Sequence, residues 1–303
     1  MQSERGTPWH RAETLLAIAE RHATGIDVKD LADLLPEGTG SHLLPSSPGR
    51  PSGWTEVNGR LFRSPEVAAR HDPARAQRGA RYLRVAGEMF GRTLSRVSGL
   101  IRTAGVTGSV AFGEPEAGDD LDFMVIARNG SVWPFLLYTF LMIRFRGLRQ
   151  AHPEEPSTWC FNYVLDEATA EREFTRDQGF HFAREALSVQ PVVGAPYYAG
   201  LLGRSPWMAT EAPGYYRRWT GTVPAPAPAV PARPTPWAIR GLNWLLFPLM
   251  ATYLQAVALR DNHRCRRAGT PERQFQVVSR PGQLEIRSTR FAQTAALFRP
   301  DPN

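Results

Sequence analysis

The chain has 303 residues, 42% of them hydrophobic, and a net charge of +7. That suits two or three modest domains with true cores and excludes an intrinsically disordered chain. Two cysteines, Cys160 and Cys265, exclude a disulfide framework and a cysteine-only zinc site. Together with a polar opening, MQSERGTPWHRAE, that lacks the apolar core of a signal peptide, they lead us to expect a cytoplasmic protein. The basic residues are almost all arginine, Lys29 being the lone lysine. The charge favours an anionic partner, but an arginine bias also follows from GC-rich coding, so nucleic acid is only weakly supported as that partner.

Residues 8–64 read as a small winged-helix-like module. Trp9 to Arg21 carries Leu15, Leu16, Ile18 and Ala19 at helical spacing, and Asp27 can cap a second helix from Val28 to Leu35. Asn58-Gly59 between two β-prone runs signals a hairpin. Between them, Pro36 to Gly53 is full of helix breakers and holds one arginine, Arg50, where a recognition helix would need several polar reading residues. A DNA-binding regulator is therefore the weaker alternative.

Residues 65–220 read as the main domain. Pro65 to Arg102 is expected to be a mostly helical arm whose arginines, Arg70 to Arg96, form a solvated face. A strand near Gly105–Thr107 leads to a Gly-Ser turn. A strand at Leu121–Ala127, an apolar helix at 133–148 and a strand near Trp159–Leu165 follow. Arg144 and Arg146 solvate the end of that helix. Residues 167–202 look helical with breaks at Gly179 and Pro191, which leaves His181 as a packing or surface residue.

Residues 221–236 hold a proline-rich linker, with six prolines from Thr222 to Pro236. Residues 237–268 are an apolar helix and 269–303 a loosely ordered polar tail. Trp237 to Leu259 is long enough to span a bilayer, but Arg240, Asn243, Pro248 and Gln255 interrupt it. At 100° per residue, Arg240, Asn243 and Gln255 define a polar sector of about 120°. The remaining face, including Trp244, Phe247 and Leu254, is expected to pack on the body, so membrane contact by 237–259 is disfavoured.

The chemistry-bearing segment runs from Thr107-Gly108-Ser109 to Asp119-Asp120-Leu121-Asp122. Residues two apart on a strand share a face, so Asp120 and Asp122 leave one side while Leu121 and Phe123 pack on the other. Two adjacent carboxylates repel each other unless a cation lies between them, and Mg²⁺ commonly takes one or two carboxylates plus substrate phosphates. Gly108 lets a backbone approach phosphate without a Cβ in the way, and the N–H groups of the turn with the Ser109 hydroxyl suit the phosphates of an NTP.

Gly-Ser, a gap of about ten residues, then Asp-Leu-Asp-Phe resembles the signature of the DNA polymerase β-like nucleotidyltransferase superfamily. The closer resemblance is to uncharacterised prokaryotic nucleotidyltransferase-domain proteins, on an N-terminal winged-helix-like module, an arginine-rich arm, and the later Cys160-Phe161-Asn162-Tyr163 text. The resemblance covers roughly residues 10–220. It implies an α+β fold: a mixed nucleotidyltransferase sheet with flanking helices, beside the small N-terminal module and the C-terminal helix. It also implies transfer of an NMP from an NTP to an acceptor, with Mg²⁺ (or Mn²⁺) held by Asp120 and Asp122 and the nucleotide by Gly108 and Ser109. The superfamily's third carboxylate sits on a later strand, where this chain has Asn162, with Asp166 further along. Asn can ligate a metal but cannot accept a proton at neutral pH. A domain that binds nucleotide without transferring it is the other alternative. Cys160 is expected to be a buried strand thiol.

Overall fold

The computed structural model describes residues 8–37, 51–92, 94–145, 155–222 and 234–298. The chain is α+β, with a three-strand sheet and a mixed six-strand sheet. Helix α1 (Pro8–Arg21) buries Ala12, Leu15, Leu16 and Ala19, one face at the 3.6-residue period. Strand β1 (Ile26–Asp27) leads into α2 (Val28–Leu34), whose first N–H groups donate to the Asp27 carboxylate, the expected cap. Strands β2 (Thr55–Val57) and β3 (Arg60–Phe62) form the expected hairpin, with Asn58 at φ 52° and Gly59 at φ 75° in its two-residue turn. β3 lies between β2 and β1. Most of the breaker-rich stretch, residues 38–50, lies outside the described residues.

The arm is shorter than the sequence suggests. Helices α3 (Pro65–Arg70) and α4 (Arg75–Arg92) are followed by a 3₁₀ stretch, Leu94–Leu100, and Ile101 and Arg102 already belong to β4 (Ile101–Val106). Gly91, Ser95, Ser98 and Gly99 weaken the helix there, because glycine costs backbone entropy and serine competes for backbone hydrogen bonds. Next come α5 (Gly108–Ala111), β5 (Leu121–Ala127), α6 (Val132–Phe145) and β6 (Trp159–Asp166). β5 runs antiparallel to β4 and parallel to β6, with α6 as the crossover that a parallel pair requires.

Helices α7 (Glu167–Thr175) and α8 (Gly179–Ser188) precede β7 (Gln190–Val193), where only a helix break was expected. β7 pairs with β4 at the sheet edge, the position where a strand tolerates a proline such as Pro191. Helices α9 (Ala195–Gly203), α10 (Trp207–Glu211) and α11 (Pro213–Thr222) close this part of the chain. Beyond the linker, α12 (Trp237–Arg267) is followed by β8 (Phe275–Arg280), β9 (Gln283–Ser288) and α13 (Thr289–Ala296). The expected polar tail is thus folded through residue 298. The β8–β9 hairpin turns at Pro281-Gly282, and β9 pairs with β6, so the sheet order is β7-β4-β5-β6-β9-β8. Its sequence is polar on average because buried Gln283 and Glu285 and exposed Gln276, Arg280 and Arg287 share it with the apolar residues.

Two apolar clusters flank the large sheet. On one side Phe123, Val125, Phe135 and Phe161 pack with Tyr82 and Phe90 of α4 and Trp133 of α6. On the other, Met124, Ile126 and Leu165 pack with α7–α11 and also with Leu15, Leu31 and Leu61, so the N-terminal module shares this core.

Helix α12 is the one described helix long and apolar enough to cross a membrane, yet it is stitched to the body by polar side chains. Asn243, 1% exposed, accepts from the Trp133 N–H and donates to the Pro281 carbonyl, both at 3.0 Å. Gln255 donates to the Val277 carbonyl (2.8 Å) and Asn262 to that of Phe275 (2.7 Å). Removing Asn243 would leave the buried Trp133 N–H unpaired, at about 1–3 kcal/mol, and free the part-buried Pro281 carbonyl as well. The helix is turned differently from the expectation. Asn243 faces inward, Phe247 and Leu254 are partly buried as expected, but Trp244 faces outward.

Candidate metal and nucleotide site

The end of β4 and the start of β5 are pinned together where the Thr107 N–H donates to the Asp122 carbonyl at 2.9 Å. Gly108 follows at φ +66° and opens the short helix α5. A Cβ at Gly108 would stand 2.9 Å from Asp122 Oδ2, so the turn and the carboxylate are in close apposition. The opening N–H groups of a helix have no partner within it, and here they lie beside the acidic strand end. Ser109 is placed at the turn, with its hydroxyl donating to Asp119 Oδ2 at 3.0 Å. Asp119 also accepts the Glu116 N–H at 2.8 Å, holding the loop from 113 to 119.

That loop is braced from two sides. The Glu114 carboxylate is buried, accepts from the Thr24 hydroxyl and pairs with Arg60 of the N-terminal hairpin. Arg75 donates to the Glu114 carbonyl (3.1 Å) and pairs with Glu116 (3.2 Å), while Arg78 donates to the Pro115 carbonyl (2.8 Å). Arg75 and Arg78 of the arm are therefore loop braces, not a solvated face.

Across the parallel register, Asp122 lies opposite Cys160, and the next pairs are Met124 with Tyr163 and onward. Two residues of β6, Phe161 and Asn162, thus stand against the single residue Phe123, a bulge. Phe161 stacks on Phe123 at 5.2 Å in the core, while Cys160 and Asn162 turn to the acid side. The Cys160 thiol donates to Asp120 Oδ2 at 3.0 Å, and the Asn162 amide donates to Asp122 Oδ1. Ligand atoms of Asp120, Asp122 and Cys160 lie within 4.8 Å of one another, the one such grouping among the described residues.

The donor set fits a hard cation. Two carboxylates supply oxygen ligands, and no histidine joins them. Burial, then the adjacent Asp120, push the Cys160 thiol far up, so it serves as a hydrogen-bond donor to Asp120, not as a thiolate. Asp122 is pushed up to about 8, by burial first, then by Asp120, Asp119 and Glu185. Glu185, on α8, pairs with Arg184 at 3.1 Å and adds its charge to the negative field at Asp122.

A carboxylate with a raised folded value holds its proton more tightly folded than unfolded. Cation-free protein should therefore lose stability as pH rises from about 4, the unfolded value, through about 8. A divalent cation removes that penalty. Mg²⁺ or Mn²⁺ is expected to raise Tm strongly near pH 8 and little near pH 5. Equal shifts at both pH values in a thermal melt would take Asp122 out of the metal site.

Other candidates lie elsewhere. Asp166 accepts the Thr169 N–H at 2.9 Å and caps α7. It pairs with Ala127, five residues beyond Asp122, about 16 Å along the strand. His181 is buried against Phe291, 4.5 Å between ring centroids, a packing role. Arg144 is exposed at the end of α6, and Arg146 falls outside the described residues. No family model, curated protein or solved structure matches this chain.

Proposed function

We propose that the chain is a metal-dependent nucleotidyltransferase of the polymerase β-like kind, moving an NMP from an NTP to an acceptor hydroxyl. One observation carries the reading. Asp120 and Asp122 are gathered beside the positive-φ Gly108 turn, where the Asp122 carboxylate is destabilised as an anion until a cation joins it. The mixed sheet, with β5 between an antiparallel and a parallel neighbour, supports the family resemblance.

In this reading Asp120 and Asp122 hold Mg²⁺ or Mn²⁺, which supplies charge neutralisation for the phosphates. The Gly108-Ser109 turn receives the triphosphate on its backbone N–H groups. The acceptor oxygen bonds to the α-phosphorus as the bond to the bridging oxygen breaks, and pyrophosphate leaves. The hydroxyl proton needs an acceptor. Asn162 cannot take it and Asp166 is at the wrong end of β6, so in this reading the proton passes to solvent or to the substrate phosphates. The bond from Asn162 to Asp122 also favours a second reading, a site that binds nucleotide without transferring it.

The test is incubation of the purified chain with α-labelled NTPs and Mg²⁺ or Mn²⁺. Pyrophosphate release with label on an acceptor, the chain itself included, is the expected outcome. Nucleotide binding without pyrophosphate selects the second reading, and neither binding nor release with either metal rejects both.

A further inference from the structure

The side of α12 that faces away from the body is apolar apart from exposed Thr252. Trp237 is 86% exposed, Trp244 64%, and Leu245 and Leu249 66% each. At 100° per residue Leu245, Leu249, Ala256 and Leu259 fall within about 80°, opposite the buried Asn243. From Leu245 to Leu259 the stripe is about 21 Å long at 1.5 Å per residue. Exposed Phe140 of α6 meets Tyr253 edge-on at 6.0 Å and widens it. From residue 237 to 259 there is one charge, Arg240, and no acid. A contiguous apolar surface of this kind marks an interaction site.

Its chemistry changes at one end. Arg260, Arg264, Arg266 and Arg267 follow the stripe and are exposed, with Asp261 the one acid of the helix, pairing with Arg260 (3.1 Å) and Arg264 (3.5 Å). Helix α6 runs parallel to α12, since Trp133 meets Asn243 and Phe247 while Phe140 meets Tyr253. Exposed Arg144, one turn past Phe140, therefore lies toward the same basic end.

We infer that this face of α12, with the adjoining end of α6, docks onto an anionic lipid bilayer. Indole rings and an apolar stripe enter the headgroup boundary, and the arginine end pairs with lipid phosphates. The helix lies on the bilayer and does not cross it. Asn243, Gln255 and Asn262 hold backbone carbonyls of the 275–281 segment along its whole length, and a span would strand them. A second copy fits worse. Antiparallel pairing of two α12 helices sets each arginine end against an acid-free stripe, and parallel pairing sets the arginine ends together. The inference is independent of the transferase reading.

Flotation of the full chain with vesicles tests it. Binding to phosphatidylglycerol-rich vesicles, weakened by salt, is expected, with far less to pure phosphatidylcholine. The double variant Leu245→Asp/Leu249→Asp should reduce partitioning roughly hundredfold or more. The triple variant Arg264→Gln/Arg266→Gln/Arg267→Gln should reduce it roughly hundredfold on anionic vesicles alone. Thermal melts, unchanged at these exposed positions, show that both variants fold. Failure of the wild type to float, or unaltered flotation of the double variant, overturns the proposal. So does retention in membranes through alkaline carbonate, which makes α12 a span, or a dimer that the double variant dissociates without any vesicle binding.

Discussion

Asp122→Asn is expected to abolish metal-dependent transfer, by roughly a thousandfold or more, while leaving the protein folded. Asn has nearly the same shape as Asp, and its carbonyl oxygen still accepts from Asn162 as Asp122 Oδ1 does. It lacks the charge that the site holds at a penalty, since Asp122 is pushed up to about 8 by burial and neighbouring acids. Removing that charge should make the cation-free variant at least as stable as wild type near pH 8. Stability and activity then move in opposite directions, which a merely structural residue would not produce. Melting curves and turnover on the same preparation check it. Undiminished turnover in folded Asp122→Asn protein, with Mg²⁺ or Mn²⁺, would remove the catalytic assignment.

The acid pair was legible in the sequence because it rests on the shortest period a chain has. Leu121 and Phe123 are buried on one side of β5, and Asp122 lies on the other, as a two-residue repeat requires. The Asn58-Gly59 hairpin and the Asp27 cap were legible for the same reason: each is settled within four residues. Cys160 and Glu185 were not. Cys160 reaches Asp120 through the register of a parallel pair, set across a helical crossover, while Asn162, expected on this later strand, comes to Asp122 through a bulge that sequence spacing does not announce. Glu185 arrives from α8, more than sixty residues after Asp122.

Helix α12 shows another limit. Its length and position follow from apolar content, but that content says the apolar face should go inward. Phe247, Met250 and Leu254 do pack inward, but beside them Asn243, Gln255 and Asn262 satisfy backbone carbonyls in β8 and in the turn after it, which leaves Trp244, Leu245 and Leu249 on the outer side. β8 and β9 escaped notice because the alternating pattern of a partly covered hairpin looks polar on average, although Pro281-Gly282 between two β-prone runs was the signal available.

Gly108→Val is the second large effect expected, loss of NTP binding and of transfer together. The position has φ +66°, which a β-branched residue adopts only under strain of about 1–3 kcal/mol. The first added carbon would already stand 2.9 Å from Asp122 Oδ2, so the carboxylate, the turn or both must move. Strain alone could lower activity by unfolding the chain, so a matched control is needed. Gly59 has φ +75° and nothing within 4 Å of an added Cβ. Gly59→Ala carries the backbone strain without touching the site. Gly108→Ala and Gly59→Ala should therefore cost comparable backbone strain, with any extra loss in Gly108→Ala coming from the Asp122 contact. Nucleotide affinity and turnover should fall in the Gly108 variants and persist in Gly59→Ala. If folded Gly108→Ala and Gly108→Val proteins bind NTP as wild type does, the turn only shapes the backbone, and the phosphates lie elsewhere.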